Sequence, residues 1–142
     1  MDRISSKRRS DNMRRIRSRD TSPEMLVRRF LHSKGLRYRL HPAHLPGKPD
    51  LVFPALRSCV FVHGCFWHGC TLCVDGTRRV QSRSTYWIPK IQGNQRRDRA
   101  HQRALSSAGW SVHVIWECQL RDQSKLRVLA KCLLSARDRL DR

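Results

Sequence analysis

The feature that most constrains this chain is the stretch from Cys65 to Cys73, which reads CFWHGCTLC. Three cysteines, a histidine and two adjacent large aromatic residues lie within these nine residues. A disulfide staple, a metal site, a nucleophilic active site and a surface that inserts rings into a partner all use such residues. Each of these uses fixes the backbone locally, so the stretch limits how the rest of the chain can fold around it.

The expected cellular compartment favours a metal site over disulfides. The first twenty residues contain no apolar segment typical of a secretory signal, so we expect the reducing environment of the cytoplasm. In a reducing compartment, clustered cysteines are more often metal ligands or catalytic groups than disulfide partners. Two further cysteines, Cys59 in a β-rich run and Cys132 among leucines, are predicted to be buried small hydrophobic residues.

The spacing of Cys65, Cys70 and Cys73 is C-x4-C-x2-C, which suits three of the four tetrahedral ligands of zinc. Cys118 is the best fourth ligand, because it follows a predicted strand that can lie beside the strand preceding Cys65. His68 is the alternative. A zinc ion closed by four protein ligands is structural rather than catalytic, and it would present the intervening aromatic residues on a rigid loop.

The charge of the chain indicates a polyanionic partner. Thirty lysines and arginines against 11 acidic residues give a formal net charge of +19. Such a charge attracts nucleic acid, because each neutralised phosphate releases counterions. Membrane binding is disfavoured, because no run approaches roughly 18 apolar residues and the basic N-terminus offers only Met13 and Ile16 toward the aromatic or leucine face of an amphipathic helix. We therefore predict that residues 1–20 form a basic DNA-contacting arm and that residues 21–142 form the folded domain.

Sequence patterns predict a single α/β domain around a short mixed sheet. A capping box, TSPE, begins a helix at Thr21–Glu24 that Gly35 ends. The runs DLVF and CVFV are predicted to pair as a hairpin. The remaining predicted elements are a strand at Leu36–Leu40, a helix from about Pro89 to Ser107, a strand at Trp110–Trp116 with both tryptophans in the core, and a last helix carrying Leu126, Leu129, Leu133 and Leu140.

Two polar residues lie at the ends of the predicted hairpin strands. Asp50 follows Pro49 at the start of one strand, and His63 ends the next. A nuclease needs a carboxylate to hold a divalent cation and a base to activate water. The Pro-Asp and hairpin are typical of the PD-(D/E)xK nucleases, although their acid-x-Lys motif is replaced here by Phe61-Val62-His63.

Several longer motifs occur in order along the chain: SDNMRRIRSRDTSPE, LPGKPDLVF, VFVHGCFWHGC, YWIPKI, NQRRD and LSSAGWSVHVIWEC. Together they resemble the very short patch repair (Vsr) family of DNA mismatch endonucleases from about Ser10 to about Leu126. The resemblance implies a monomeric, restriction-endonuclease-like fold with helices flanking the mixed sheet. It implies Mg²⁺-dependent nicking of duplex DNA on the 5′ side of the T in T:G mismatches, which arise when 5-methylcytosine deaminates.

The resemblance also implies residue roles. Asp50 and the backbone carbonyl of Val62 are expected to hold Mg²⁺, and His68 is expected to activate water. His63 and Asp98 are expected to support the water shell of the cation, and Glu24 matches a motif acid with a supporting role. The DNA-contacting set is Met13, Phe66, Trp67 and Trp87, of which the three aromatic residues form a wedge beside the mismatch. The structural Zn²⁺ set is Cys65, Cys70, Cys73 and Cys118.

Two positions depart from the usual family pattern. Val62 replaces a frequent Thr, which leaves the backbone carbonyl but removes a hydroxyl. Cys70 stands where the family can have His, and both residues bind zinc equally well. Neither departure removes a group that the implied metal sites require.

Two other functions remain open from the residues alone. One is a PD-(D/E)xK restriction or nicking enzyme of different specificity. The other is a zinc-stabilised DNA-binding module without catalysis, which would not need Asp50 and His68 together. The sequence also leaves open the preferred flanking bases and whether mismatch-repair proteins such as MutL bind.

Overall fold

A four-stranded mixed sheet organises the protein, whose computed structural model describes residues 21–70, 72 and 84–140. For residues 66, 67, 84 and 85 it describes the backbone only. The predicted basic arm, Met13 and Cys73 lie outside the described residues. Strand β1 is Arg39–Leu40, β2 is Leu51–Phe53, β3 is Ser58–His63 and β4 is Ser111–Trp116. The first three strands pair antiparallel in sequence order, and β4 pairs parallel with β3. The predicted mixed sheet is confirmed, although β1 is shorter than Leu36–Leu40.

Helix α1, Ser22–Ser33, begins and ends where the sequence predicts. The Thr21 side chain accepts a hydrogen bond from the amide of Glu24, and Pro23 lies in the first turn. Gly35 has φ of 83°, the left-handed conformation that favours glycine after a helix. The Glu24 side chain does not complete the capping box; it contacts Arg28 and His41 instead.

The β2–β3 hairpin is the predicted one. The strands are joined by a 3₁₀ turn, Pro54–Leu56, followed by Arg57 in the left-handed region. In the β2–β3 register, Val52 lies opposite Cys59. The last residue of β3, His63, lies opposite Trp116 of β4, so both strands end at the same edge of the sheet.

Apolar residues cover both faces of the sheet. On one face, Val60 and Ile115 pack with α1 and with the last helix, α4 (Ser124–Leu140). On the other face, the buried Cys59 and Phe61 pack with Leu105 of helix α3 (Ser84–Ser107). The protein is therefore an α/β domain with helices on both faces of the sheet, as predicted.

Helix α3 begins earlier than the sequence predicts. Pro89 was expected near the start of the helix because it lacks the N–H of a helix interior. The helix instead starts at Ser84, and Pro89 lies inside it. The rings of Tyr86 and Trp87 lie 4.7 Å apart, and Lys90 Nζ is 4.3 Å from the Tyr86 ring centroid, a side-chain cluster that accompanies the extra turn. Trp87 is therefore a helical residue rather than a loop residue.

Two burial predictions, those for Cys132 and Trp116, are wrong. Cys132 is exposed, because it lies outside the stripe of α4 formed by Leu126, Leu129 and Leu133. Leu140, at the end of α4, is also exposed. Trp116 is only half-buried and contacts histidines at the strand end rather than the core. By contrast, Cys59 is fully buried, as predicted. Among the described helices, none has the length and apolar character needed to cross a membrane.

Candidate functional site

Three clusters of chemically reactive side chains lie around the end of β3 and the short helix α2, Cys65–His68, that follows it. In each cluster, one ligand atom from every residue lies within 4.8 Å of the others. We name them the acid–histidine cluster (Glu24, His41, Asp50), the histidine-pair cluster (His63, His68, Asp98) and the thiol cluster (Cys65, Cys70, Cys118).

The acid–histidine cluster joins α1 to the start of β2. The Oδ2 atom of Asp50 accepts a hydrogen bond of 2.7 Å from the amide of Val62 in β3. Glu24 is 2% exposed and forms an ion pair with Arg28, one turn further along α1. His41 Nε2 lies 3.0 Å from Glu24 Oε2, and His41 Nδ1 lies 3.8 Å from Asp50 Oδ1. The contact with Asp50 involves the Val62 amide, and the role that the resemblance implies for the Val62 carbonyl stays a prediction.

The electrostatics of this cluster favour a bound cation. Burial, followed by the hydrogen bond to the Glu24 carboxyl, raises the pKa of Asp50 to about 8. The Val62 amide and the Arg28 guanidinium act in the opposite direction but do not offset burial. The Asp50 carboxyl therefore keeps its proton at neutral pH. Oxygen donors of this kind are the ligands that Mg²⁺ prefers, so the donor set fits that ion.

The histidine-pair cluster stacks two imidazoles between β4 and α3. The rings of His63 and His68 are 3.9 Å apart and inclined by 2°. Trp116 meets the His63 ring edge-on at 5.1 Å. His68 Nδ1 lies 2.6 Å from Asp98 Oδ2. Asp98 is therefore in direct contact with His68, and the role in a metal's water shell that the resemblance implies for Asp98 stays a prediction.

Burial sets the protonation of this cluster. Burial, together with the neighbouring His68, lowers the pKa of His63 to about 4, so its imidazole is neutral at pH 7. His63 Nδ1 is buried and has no hydrogen-bond partner among the described residues. Burial acts to raise the pKa of Asp98, but the hydrogen bond and charge of His68 outweigh it, so the pKa of Asp98 is lowered. The cluster combines an ionised carboxylate with at least one neutral imidazole.

The close packing of α2 on α3 fixes the His68–Asp98 contact. Gly69 ends α2 with φ of 67°, and a Cβ atom there would lie 2.8 Å from Cγ2 of Ile91. Gln95 Nε2 donates a hydrogen bond to the Gly69 carbonyl. A side chain at Gly69 would therefore push α2 away from α3 and separate His68 from Asp98.

The thiol cluster has the dimensions of a metal–thiolate site. Cys70 Sγ and Cys118 Sγ lie 3.8 Å apart, far beyond a disulfide bond of about 2.05 Å. Sulfur atoms on a tetrahedron with zinc–sulfur bonds of about 2.3 Å are about 3.8 Å apart, so the spacing fits zinc. The amide of Cys118 points at Cys65 Sγ at 3.3 Å, as amides do toward thiolate ligands.

The geometry separates the two candidates for a fourth zinc ligand. Cys118 lies with Cys65 and Cys70, whereas His68 belongs to the histidine-pair cluster and its Nδ1 contacts Asp98. Cys73, the remaining predicted ligand, lies outside the described residues. The thiol cluster therefore favours Cys118 over His68 as a ligand.

The predicted aromatic wedge is described at one position. Trp87 is half-buried near the start of α3, and Lys90 Nζ lies 5.9 Å from its ring centroid. Phe66 and Trp67 belong to α2 by their backbone, and their side chains are outside the description. Met13 lies outside the described residues.

Sequence reasoning missed three residues of the site. Arg28 and His41 contact the acids, and Trp116 packs on the histidine pair. The signal for Arg28 was its position one helical turn after Glu24. For Trp116 the signal was its place at the end of a strand beside His63. No sequence pattern indicated His41, because its position beside Glu24 and Asp50 depends on the conformation of a loop.

The carboxylates, the carboxylate–imidazole pair and the thiol cluster on an α/β scaffold are typical of a metal-assisted hydrolase with a structural metal. The profile of the family described as DNA mismatch endonuclease Vsr matches residues 1–73. The chain is 42% identical over 120 residues to the DNA mismatch endonuclease Vsr of Escherichia coli K12, covering 83% of this chain and 74% of the relative.

Two relatives bear the name of nicking enzymes. The chain is 47% identical over 136 residues to the type II nicking enzyme V.XorIIP of Xanthomonas oryzae pv. oryzae, covering 94% of this chain and 96% of the relative. It is 39% identical over 124 residues to the type II nicking enzyme V.NmeAIP of Neisseria meningitidis, covering 87% of both. The chain belongs to the Vsr family of DNA mismatch endonucleases, which confirms the resemblance noted from its motifs.

Proposed function

We propose that this protein is a DNA endonuclease that nicks duplex DNA on the 5′ side of the T in T:G mismatches arising from 5-methylcytosine deamination. Catalysis requires Mg²⁺, and a structural Zn²⁺ holds the thiol cluster. The observation that carries the proposal is the contact between His68 and Asp98. His68 follows closely after Val62 in the chain, and the Val62 amide donates a hydrogen bond to Asp50. Membership of the Vsr family and the names of the relatives support the same activity.

DNA is held first by charge. The net charge of +19 attracts the phosphate backbone and makes binding strongly dependent on salt. Residues 1–20 form a basic arm that adds to this attraction. We expect the protein to act as a monomer, as the family resemblance implies.

Asp50 and the Val62 carbonyl hold Mg²⁺, and Glu24 supports Asp50 through their hydrogen bond. When bound, the cation polarises the scissile phosphate and stabilises the leaving oxygen. Asp50 would lose its proton on binding the ion, because a ligand carboxylate is deprotonated. Arg28 keeps a positive charge beside Glu24 and limits repulsion between the two acids.

His68 is the general base. His68 Nδ1–H donates a hydrogen bond to Asp98 Oδ2. The other ring nitrogen, Nε2, then carries a lone pair and can take a proton from the attacking water. The assignment of this tautomer follows from the ionised state of Asp98. His63, neutral and stacked on His68, fixes the plane of that ring, and we expect it to support the water shell of the cation. Asp98 therefore acts through His68 as a positioning residue.

Mismatch recognition rests on the aromatic residues. Phe66, Trp67 and Trp87 insert beside the mismatch, and Met13 inserts from the opposite groove. Inserting side chains costs a few kcal/mol of unstacking per base step. A T:G pair stacks and pairs less well than a Watson–Crick pair, so the cost is lower there and selectivity follows in part from deformation.

One other function has a specific observation in its favour. The relatives from Xanthomonas oryzae and Neisseria meningitidis are named type II nicking enzymes, which leaves open a nicking enzyme whose flanking-base preference dominates over the mismatch. The test is to incubate the protein with duplexes containing T:G, T:A or C:G in varied contexts, with and without Mg²⁺.

We expect a single nick 5′ of the mismatched T, in the presence of Mg²⁺ only. Equal nicking of T:A duplexes would identify a sequence-specific nicking enzyme instead. If the protein binds DNA but nicks no duplex under any condition, it is a DNA-binding module without catalytic activity. Adding purified MutL to the same assay tests whether a mismatch-repair protein changes the rate.

A further inference from the structure

His41 has a backbone conformation that its residue type and its sequence neighbour both disfavour. Its φ is 44°, in the left-handed region that non-glycine residues seldom occupy. It directly precedes Pro42, whose ring restricts the residue before it to extended conformations. Only 11% of its side chain is exposed. The surrounding structure therefore holds this imidazole in place against a local preference, as is common at functional sites.

The two ring nitrogens of His41 face different groups. Nε2 lies 3.0 Å from Glu24 Oε2, a hydrogen-bond distance. Nδ1 lies 3.8 Å from Asp50 Oδ1, which is too long for a hydrogen bond. An octahedral cation such as Mg²⁺ has bonds of about 2.1 Å to its ligand atoms. Two of these ligand atoms are about 3.0 Å apart when they are adjacent and about 4.2 Å apart when they lie on opposite sides of the ion. The distance of 3.8 Å between His41 Nδ1 and Asp50 Oδ1 lies between these two values, as expected for two atoms that can bind the same cation.

The contacts of Nε2 decide which nitrogen carries the proton. Nε2 is also 3.2 Å from a terminal nitrogen of Arg28, which can only donate. That Arg28 nitrogen already donates to Glu24, and the carboxylate is the nearer partner of Nε2. Nε2–H therefore donates to Glu24, and Nδ1 presents a lone pair toward Asp50. A histidine that donates one N–H to a carboxylate and offers the other nitrogen is typical of a metal ligand.

We infer that His41 binds, through Nδ1, the same divalent cation that Asp50 holds. This inference rests on the proposed function, because it assumes that Asp50 binds a cation. An imidazole nitrogen in the ligand set favours transition metals over Mg²⁺, whose preferred ligands are oxygens. The site is therefore expected to bind Mn²⁺ more tightly, relative to Mg²⁺, than a site with oxygen ligands alone.

The test measures Mn²⁺ bound to the zinc-loaded protein, using pulsed electron paramagnetic resonance to detect nitrogen bonded to manganese. The key variant is His41→Asn. Asn tolerates the left-handed conformation and places its amide group near the position of Nδ1, so the fold and an oxygen ligand are both retained. The matched control is His44→Asn, at an exposed position in the same loop. Titration calorimetry gives the affinities for Mn²⁺ and Mg²⁺.

We expect a histidine nitrogen signal in the wild type and in His44→Asn, and its loss in His41→Asn. The Mn²⁺ affinity of His41→Asn should fall about 10- to 100-fold, with a smaller change for Mg²⁺. A nitrogen signal that is absent in the wild type, or unchanged in His41→Asn, overturns the inference while leaving Asp50 as the ligand. No binding of either ion to the wild type overturns both the inference and the proposed Mg²⁺ dependence.

Discussion

His68 Nδ1 and Asp98 Oδ2 lie 2.6 Å apart, and they join α2 to α3 across 30 residues of sequence. The carboxylate fixes both the orientation of the imidazole and the nitrogen that carries its proton. A ring fixed in this way can take a proton from water only through Nε2. The contact therefore makes the two residues dependent on one another in catalysis.

We expect Asp98→Ala to lower the rate of nicking by about one to three orders of magnitude, because His68 loses its orientation and its tautomer. His68→Ala should lower the rate by about two to four orders of magnitude. The double variant should be no slower than His68→Ala alone, because Asp98 acts only through His68. Single-turnover nicking of a T:G duplex gives all three rates. Additive losses in the double variant would mean that Asp98 has a separate role.

Zinc binding tests the thiol cluster. Cys118→Ala should lose the zinc and strongly destabilise the fold, because metal binding and folding are coupled. Cys65→Ala, Cys70→Ala and Cys73→Ala should behave in the same way. His68→Ala should keep a full zinc ion per chain, because its ring belongs to the neighbouring cluster. Metal analysis and thermal unfolding of the purified variants measure both properties. Zinc loss in His68→Ala with retention in Cys118→Ala would make His68 the fourth ligand.

The aromatic residues should affect recognition more than general affinity. Phe66→Ala, Trp67→Ala and Trp87→Ala should fold normally and lose discrimination between T:G and T:A duplexes. General DNA affinity should change less, because phosphate contacts remain. Binding to both duplexes at two salt concentrations separates the effects, and the affinity itself should fall steeply with salt. Unfolding of these variants would show that the rings are part of the core.

Local sequence patterns predicted those parts of the molecule that depend on neighbouring residues. Thr21 and Gly35 bound α1 as expected, because capping and left-handed glycine act over a few residues. The hairpin that positions Asp50 was predicted from strand patterns for the same reason. Pro89 misled the prediction of α3, because the helix extends through this proline back to Ser84 despite the lost hydrogen bond, and Tyr86, Trp87 and Lys90 contact one another there.

The sequence predicted those residues of the candidate site that lie within a motif. It did not predict the residues that only the fold brings close to the site. The thiol cluster residues Cys65 and Cys70 share one motif. His41 reaches Glu24 and Asp50 from a loop that has no motif, so only the packed structure brings these residues together. The alternating pattern of the strand predicted that Trp116 is in the core. Trp116 is instead half-buried, because it lies at the end of β4 beside the histidine-pair cluster.

The raised pKa of Asp50 makes the stability of the Mg²⁺-free protein depend on pH. In the folded state the pKa is about 8, mainly because of burial, whereas in the unfolded chain it is about 3.9. Between these values the folded protein keeps a proton that the unfolded chain releases. The free energy of unfolding should therefore fall as pH rises from about 4 to about 8. Below pH 4 both states are protonated, and this contribution no longer changes.

Asp50→Asn should remove this pH dependence, because an amide replaces the protonated carboxyl at nearly equal size. Without Mg²⁺ and with zinc retained, the variant should be more stable than the wild type at pH 8, by on the order of 1–3 kcal/mol, with no difference near pH 4. Asp138→Asn, at an exposed position of α4, is the control and should follow the wild type. Denaturant unfolding at several pH values measures the difference.

The same proton opposes Mg²⁺ in the wild type. The affinity for Mg²⁺ and the rate of nicking should both rise with pH up to about 8, because the cation must displace the proton of Asp50. Asp50→Asn should neither bind Mg²⁺ nor nick DNA at any pH, although it is the more stable protein. A variant that is less stable than the wild type at pH 8 would show that Asp50 is already ionised in the folded state.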